Sequence, residues 1–142
     1  MKLLSSRILL LLVCLQMVVN NSFGQDTEAR VAAFNEAIGA SYNVESKGKI
    51  LIISGFREGE QVKEDKVNIY DLDLETLKFS KTDNSVSIKC QSDLEGCVTQ
   101  VLTRERKKKN YRNRIVFGVP EGVSGQEILN KLRLVLNEMM KK

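Results

Sequence analysis

The spacing of apolar and polar positions divides the chain into a leading apolar run, a helix, a series of strands and a final helix. Val31, Phe34 and Ile38 recur at helical spacing, flanked by Ala33 and Ala37, and predict a helix over residues 26–40. Asp26 or Thr27 can cap it, Glu28 suits the positive end of its dipole, and Gly39 is a stop. Residues 41–48 are polar and read as a connection. From Lys49 onward the pattern is that of strands. Residues 50–54 form a short apolar run of the kind a central strand carries. Residues 57–66 mix charges and read as a loop. Val67 with Ile69, Leu72 with Leu74, and Leu77 with Phe79 alternate as strands, and Thr82-Asp83-Asn84 is a turn. Residues 85–90 and 97–103 read as two further strands. A basic stretch from Arg104 to Arg114 follows, then a last strand over 115–119.

The C-terminal helix is the best-defined element. Ser124-Gly125-Gln126-Glu127 is a capping box. Ile128, Leu129, Leu132, Val135, Leu136, Met139 and Met140 share one face, and only Leu134 falls on the polar side. Such a helix covers a sheet.

There is no strand–helix–strand alternation, so a parallel nucleotide-binding sheet is not indicated. The expectation is one α+β domain over residues 25–142: an N-terminal helix, about six antiparallel strands in a bent sheet or roll, and the amphipathic C-terminal helix. The layout of residues 49–140 resembles the pleckstrin-homology-like roll, in which a helix plugs one end of a bent antiparallel sandwich. The chain has one strand fewer than that fold, and its N-terminal helix is extra. The resemblance implies a module that binds lipids, peptides or proteins and is rarely catalytic, although a fold alone assigns no function.

The first residues change the picture of where the domain works. Lys2 and Arg7 precede an apolar run over residues 8–19 broken only by Gln16. Ser22-Phe23-Gly24 then offers small residues for a cut before Gln25. This is the pattern of a signal peptide over residues 1–24. The run is shorter than the roughly 20 residues a membrane-spanning helix needs. Cys14 lies within it, but Val13 is not the small residue a lipidation site wants. The leader resembles those of Bacteroidetes-type envelope proteins. The expected location is therefore the periplasm or the extracellular space, with no transmembrane segment in the mature chain. Without Lys2 and Arg7 the formal charge falls from +4 to +2, so the domain is not a global polyanion binder and nucleic acid is not an expected partner.

Hydrophobic residues at 42% and charged residues at 28% exclude wholesale disorder and a multi-span membrane protein. The chain has no His and no Trp. That excludes a Ser-His-Asp triad, a Cys-His pair and every His-ligated metal site. Gly-x-Ser-x-Gly, P-loop and Gly-x-Gly-x-x-Gly motifs are also missing from the sequence.

Cys90 and Cys97 are the two cysteines that follow the leader, and an even count in an exported chain reads as a disulfide. The flanking alternation places them at the neck of a hairpin. The spacing is not Cys-x-x-Cys, so the bond is a staple and not a redox centre.

Two clusters offer chemistry. Residues 104–114 hold seven cations and one acid: Arg104, Arg106, Lys107, Lys108, Lys109, Arg112 and Arg114, with Glu105, and Tyr111 sits among them. Such a stretch binds anions, and outside the cytoplasm these are lipid head groups, lipopolysaccharide or acidic glycans. It is equally the charged tip of a hairpin that keeps strand edges apart. Asp71, Asp73 and Glu75 would share one face of a strand and offer oxygens to Ca²⁺, but they lack the glycine turn of an EF-hand loop. The same alternation is the wet side of a half-buried strand, so no metal or cofactor is expected. The expected function is an exported, non-catalytic domain that binds a protein or a small envelope ligand. The first alternative is an anionic surface bound by the basic stretch. The second is an enzyme working with carboxylates alone, which needs two of Asp71, Asp73, Glu75, Asp93 and Glu95 to converge in a pocket.

Overall fold

A computed structural model describes residues 25–105 and 108–141. Residues 1–24, over which a signal peptide is expected, and Arg106, Lys107 and Lys142 lie outside the described residues. The first helix, α1, occupies residues 25–38 and buries Phe34 and Ile38 completely. It gives way to a 3-10 turn at Gly39, whose φ of +71° is open to glycine at little cost. Eight strands follow: β1 (Tyr42–Lys47), β2 (Ile50–Arg57), β3 (Glu60–Asn68), β4 (Leu72–Ser80), β5 (Ser85–Cys90), β6 (Val98–Leu102), β7 (Lys109–Arg112) and β8 (Arg114–Gly118). The second helix, α2, is Gly125–Met140.

All strand pairs are antiparallel, in a five-stranded sheet ordered β1-β2-β3-β6-β7 and a three-stranded sheet ordered β4-β5-β8. The two orders are one meander bent across two sheets. β3 passes into β4 through the 3-10 turn Ile69–Asp71, and β7 passes into β8 at Asn113. The run β7–β8 pairs Val101↔Lys109 to Val98↔Arg112 with β6, then Lys89↔Arg114 to Ser85↔Gly118 with β5. On its other side the β5–β6 run pairs with β3–β4, from Lys63↔Leu102 through Leu72↔Cys90. Each run therefore pairs with the next one in sequence.

The α+β layout agrees with the sequence, and the strand count differs for two reasons. Three strands, β1, β3 and β7, lack an apolar pattern, and the segments read at 72–74 and 77–79 are one strand, β4. The supposed polar connection at 41–48 contains β1, in which only Val44 is buried. The supposed loop at 57–66 is mostly β3, whose buried residues are Asp65 and Val67. The basic stretch likewise ends in β7 and the first residue of β8.

The core lies between the sheets and the helices. Leu51, Ile53, Ile88, Ile115, Phe117, Ile128, Leu132, Leu136 and Met139 are among its fully buried side chains. Each such burial contributes about 1.5–3 kcal/mol. α2 lies against β4, β5 and the 69–71 turn. Its predicted apolar face is buried apart from half-buried Met140, and Leu134 is exposed. Ser124 Oγ accepts a hydrogen bond from the Glu127 N–H at 3.3 Å, as the capping box requires. Gly125 is in the first turn because a Cβ there would overlap the Phe79 ring.

Cys90 and Cys97 form the expected disulfide, with Cα atoms 5.8 Å apart. Its setting is not a hairpin neck. β5 and β6 do not pair with one another; they lie end to end beside the same partner run, in different sheets. The disulfide closes the base of an excursion, residues 91–96, that leaves the ladder where the sheets part. The Cys90 N–H donates to Asn113 O at 2.8 Å, which ties that base to the bend of the facing run.

Candidate functional site: a polar seam between the sheets

Tyr42, Gly55 and Lys63 form one row across β1, β2 and β3, on the face that also carries Val44, Ile53 and Val67. Glycine is needed in the middle of that row. A Cβ on Gly55 would lie 2.9 Å from Lys63 Cγ and 3.4 Å from the Tyr42 ring. The lysine stem therefore crosses Gly55 and carries Nζ to the edge of β8. There it donates to Val116 O at 2.9 Å and sits 3.3 Å from Asp65 Oδ2. Nζ is also 5.7 Å from the centroid of the Tyr42 ring, within cation–π reach. The Tyr42 hydroxyl accepts from the Gly118 N–H at 3.0 Å. Side chains, not ladder hydrogen bonds, thus join β8 to the five-stranded sheet.

The Asp65 side chain is only 2% exposed. A buried carboxylate is costly unless its oxygens are satisfied. Here Oδ2 faces Lys63, and Oδ1 accepts from Gln100 Nε2 at 2.8 Å. Gln100 Oε1 in turn accepts from Arg112 Nε at 3.4 Å. The chain Val116–Lys63–Asp65–Gln100–Arg112 therefore links β8, β3, β6 and β7. It opens into a pocket of about 340 Å³ lined by Lys63, Gln100, Arg112, Asn113, Arg114 and Val116.

The basic stretch is divided by this geometry. Arg112 and Arg114 line the pocket. Lys109 and Tyr111 stand opposite Val101 and Thr99, on the other face of the sheet from Arg112, and Tyr111 is 70% exposed. Arg104 is exposed in the 3-10 turn Thr103–Glu105, and Lys108 is exposed after it. Arg106 and Lys107 lie outside the described residues. Lys63, Asp65 and Gln100 were not legible as site residues. The signal was the period-two series Lys63, Asp65, Val67, Ile69, which extends a strand back through the charged segment.

The acidic candidates do not share a strand face. Asp71 is in a 3-10 turn, and the pairing of β4 with β5 is irregular between Asp73 and Lys78. Asp73 Oδ1 accepts from the Glu75 N–H at 3.1 Å, turning back on its own chain. Among the described residues, no group of three or more His, Cys, Asp or Glu is placed to hold a metal ion. A larger pocket of about 480 Å³ does gather Asp73 and Asp93, with Tyr70, Gln91 and Met140, beside the C-terminal end of α2. Asp71, Glu75 and Glu95 are not among its lining residues.

No helix of the described residues is long and apolar enough to cross a membrane. No protein-family profile, curated protein or solved structure matches the chain.

Proposed function

We propose that the chain is an exported, non-catalytic binding domain that holds a small envelope ligand at the seam between its two sheets. The observation that carries this reading is the Lys63–Asp65–Gln100–Arg112 network. At the centre of that network the buried Asp65 carboxylate costs stability unless its oxygens are satisfied, and an apolar cluster would join the sheets more cheaply than the network does. Its members are instead fixed in position at the mouth of a pocket, as a binding site requires. The disulfide supports an oxidising compartment. Native mass spectrometry of the purified protein incubated with a small-molecule envelope extract tests the reading. The expected result is a bound mass that is released unchanged. Turnover of glycoside or ester substrates, lost in Asp73→Asn or Asp93→Asn, would overturn it.

A second reading is supported by the exposure of Lys108, Lys109 and Tyr111 away from that pocket. They offer cations and a ring to an anionic surface such as lipid head groups, lipopolysaccharide or acidic glycans. Binding to anionic vesicles that weakens with added salt and disappears in Lys108→Ser/Lys109→Ser is the expected result. Retention of binding by that variant would remove this reading.

A further inference from the structure

We propose that the 340 Å³ pocket at the seam is a site for a phosphate monoester, an inference that rests on the binding function proposed above. Three cations, Lys63, Arg112 and Arg114, line it. Asp65 offsets Lys63 from beneath the floor, at 3.3 Å. Among the described residues, no carboxylate lies within ion-pair distance of either guanidinium. Two positive charges are therefore left facing one cavity. Both arginines are exposed, and an anion bound in the cavity that they share would offset both charges. A phosphate monoester carries about −1.5 to −2 at neutral pH, which matches the two guanidiniums better than the single charge of a carboxylate.

The donors are also positioned. An ammonium has three N–H donors, and Lys63 directs two of them at Val116 O and Asp65. The hydrogen bond from Arg112 to Gln100 engages Nε and not the Nη pair, so it orients the guanidinium. Gln100 is itself anchored on Asp65. The backbone that carries Arg114 is set by the bend at Asn113, whose carbonyl is held by Cys90, and the exposed Arg114 side chain lines the pocket. Guanidinium forks suit phosphate oxygens, and the side-chain amides of Gln100 and Asn113 add neutral donors. The volume leaves room beside a phosphate group for a small organic body, as a monoester carries.

The test is an NMR titration of the purified protein at low salt. The titrants are inorganic phosphate, glycerol 3-phosphate, acetate, and phosphatidylcholine vesicles with and without phosphatidic acid. The expected result is that glycerol 3-phosphate shifts the side-chain amides of Gln100 and Asn113, more strongly than acetate. Arg112→Gln/Arg114→Gln should weaken that binding at least tenfold, a factor that corresponds to about 1.4 kcal/mol. Arg114→Gln alone, outside the Asp65 network, should weaken it measurably with an unchanged melting temperature. Lys108→Ser/Lys109→Ser should leave it unchanged. Binding of the phosphatidic acid vesicles as well identifies a lipid head group as an accepted source, and binding of the soluble ester alone identifies a soluble ligand. Equal binding by the arginine variants, binding of vesicles only, or no shift with any phosphate titrant overturns the inference. A different ligand found by mass spectrometry, with no phosphate binding, overturns it while leaving the proposed function standing.

Discussion

Asn35 makes both backbone hydrogen bonds of Val44. Its Oδ1 accepts from the Val44 N–H at 2.7 Å, and its Nδ2 donates to the Val44 carbonyl at 2.9 Å. Val44 lies on β1, an edge of the five-stranded sheet. The amide of a helix residue thus occupies the place of a neighbouring strand, at the midpoint of an edge that would otherwise invite pairing. Asn35→Ala should cost about 1–3 kcal/mol, since two backbone groups lose their partner. It should also make the protein associate with increasing concentration. Urea unfolding and light scattering over a dilution series check the two effects. Asn35→Asp keeps the acceptor only and should fall between the parent and Asn35→Ala.

Gly125→Ala should destabilise the fold by about 1–3 kcal/mol, because the new methyl enters the Phe79 ring. In combination with Phe79→Leu the loss should be smaller than the sum of the two single losses. Thermal melts of the four members of the cycle measure this. An additive result would mean that the helix simply shifts away.

Asp65→Ala removes the carboxylate that faces Lys63, whose side chain is 19% exposed, and leaves its Nζ with the Val116 carbonyl. Breaking a buried pair by removing one partner costs about 3–5 kcal/mol, and the partial exposure of Lys63 places this case at the low end. Lys63→Met/Asp65→Ala should be less damaging than Asp65→Ala alone. Denaturant midpoints decide the order, and the reverse order would mean that Lys63 stabilises the fold mainly through Val116 and Tyr42 and not through the pair.

Thiol titration of protein from an oxidising compartment should find neither Cys90 nor Cys97 reactive, and two reactive thiols would refute the pairing. Cys90→Ser/Cys97→Ser should lose about 2–3 kcal/mol and still fold. Hydrogen exchange at Ile88 and Gln100 should remain protected in that variant, since each lies in a ladder with β7–β8 that does not depend on the bond.

Both helices were legible because their apolar stripes face one core: Phe34 and Ile38 on one, Ile128 to Met139 on the other. β1 and β3 were not. A strand is read from alternating burial, but the inner face of β3 carries Lys63 and Asp65, and its outer face carries Glu64 and Lys66. Both faces are polar, so the period of two is hidden by charge. The same cause hid the site, since the residues that build the seam are the ones that erase the strand pattern. Arg112 and Arg114 stood out only as members of a basic run. What separates them from Lys109 and Tyr111 is the alternation of faces along β7, together with the bend at Asn113. The cysteine partnership followed from a count of two. Its placement did not, because it depends on a facing run that comes later in the chain.

The excursion closed by the disulfide has a consequence for how the chain tolerates change in length. Residues 91–96 are not among the pairs that set Lys89 opposite Arg114 and Val98 opposite Arg112, and within them Gln91 is held by Asp71 and Tyr70. Extra residues between Leu94 and Glu95 would enlarge a loop whose ends are already covalently joined. Doubling such a loop adds only about 0.6 kcal/mol of closure cost. The bend at the Asn113 seam therefore has an attachment point, beside the pocket of Asp73 and Asp93, where a peptide tag or epitope can be carried without moving a strand.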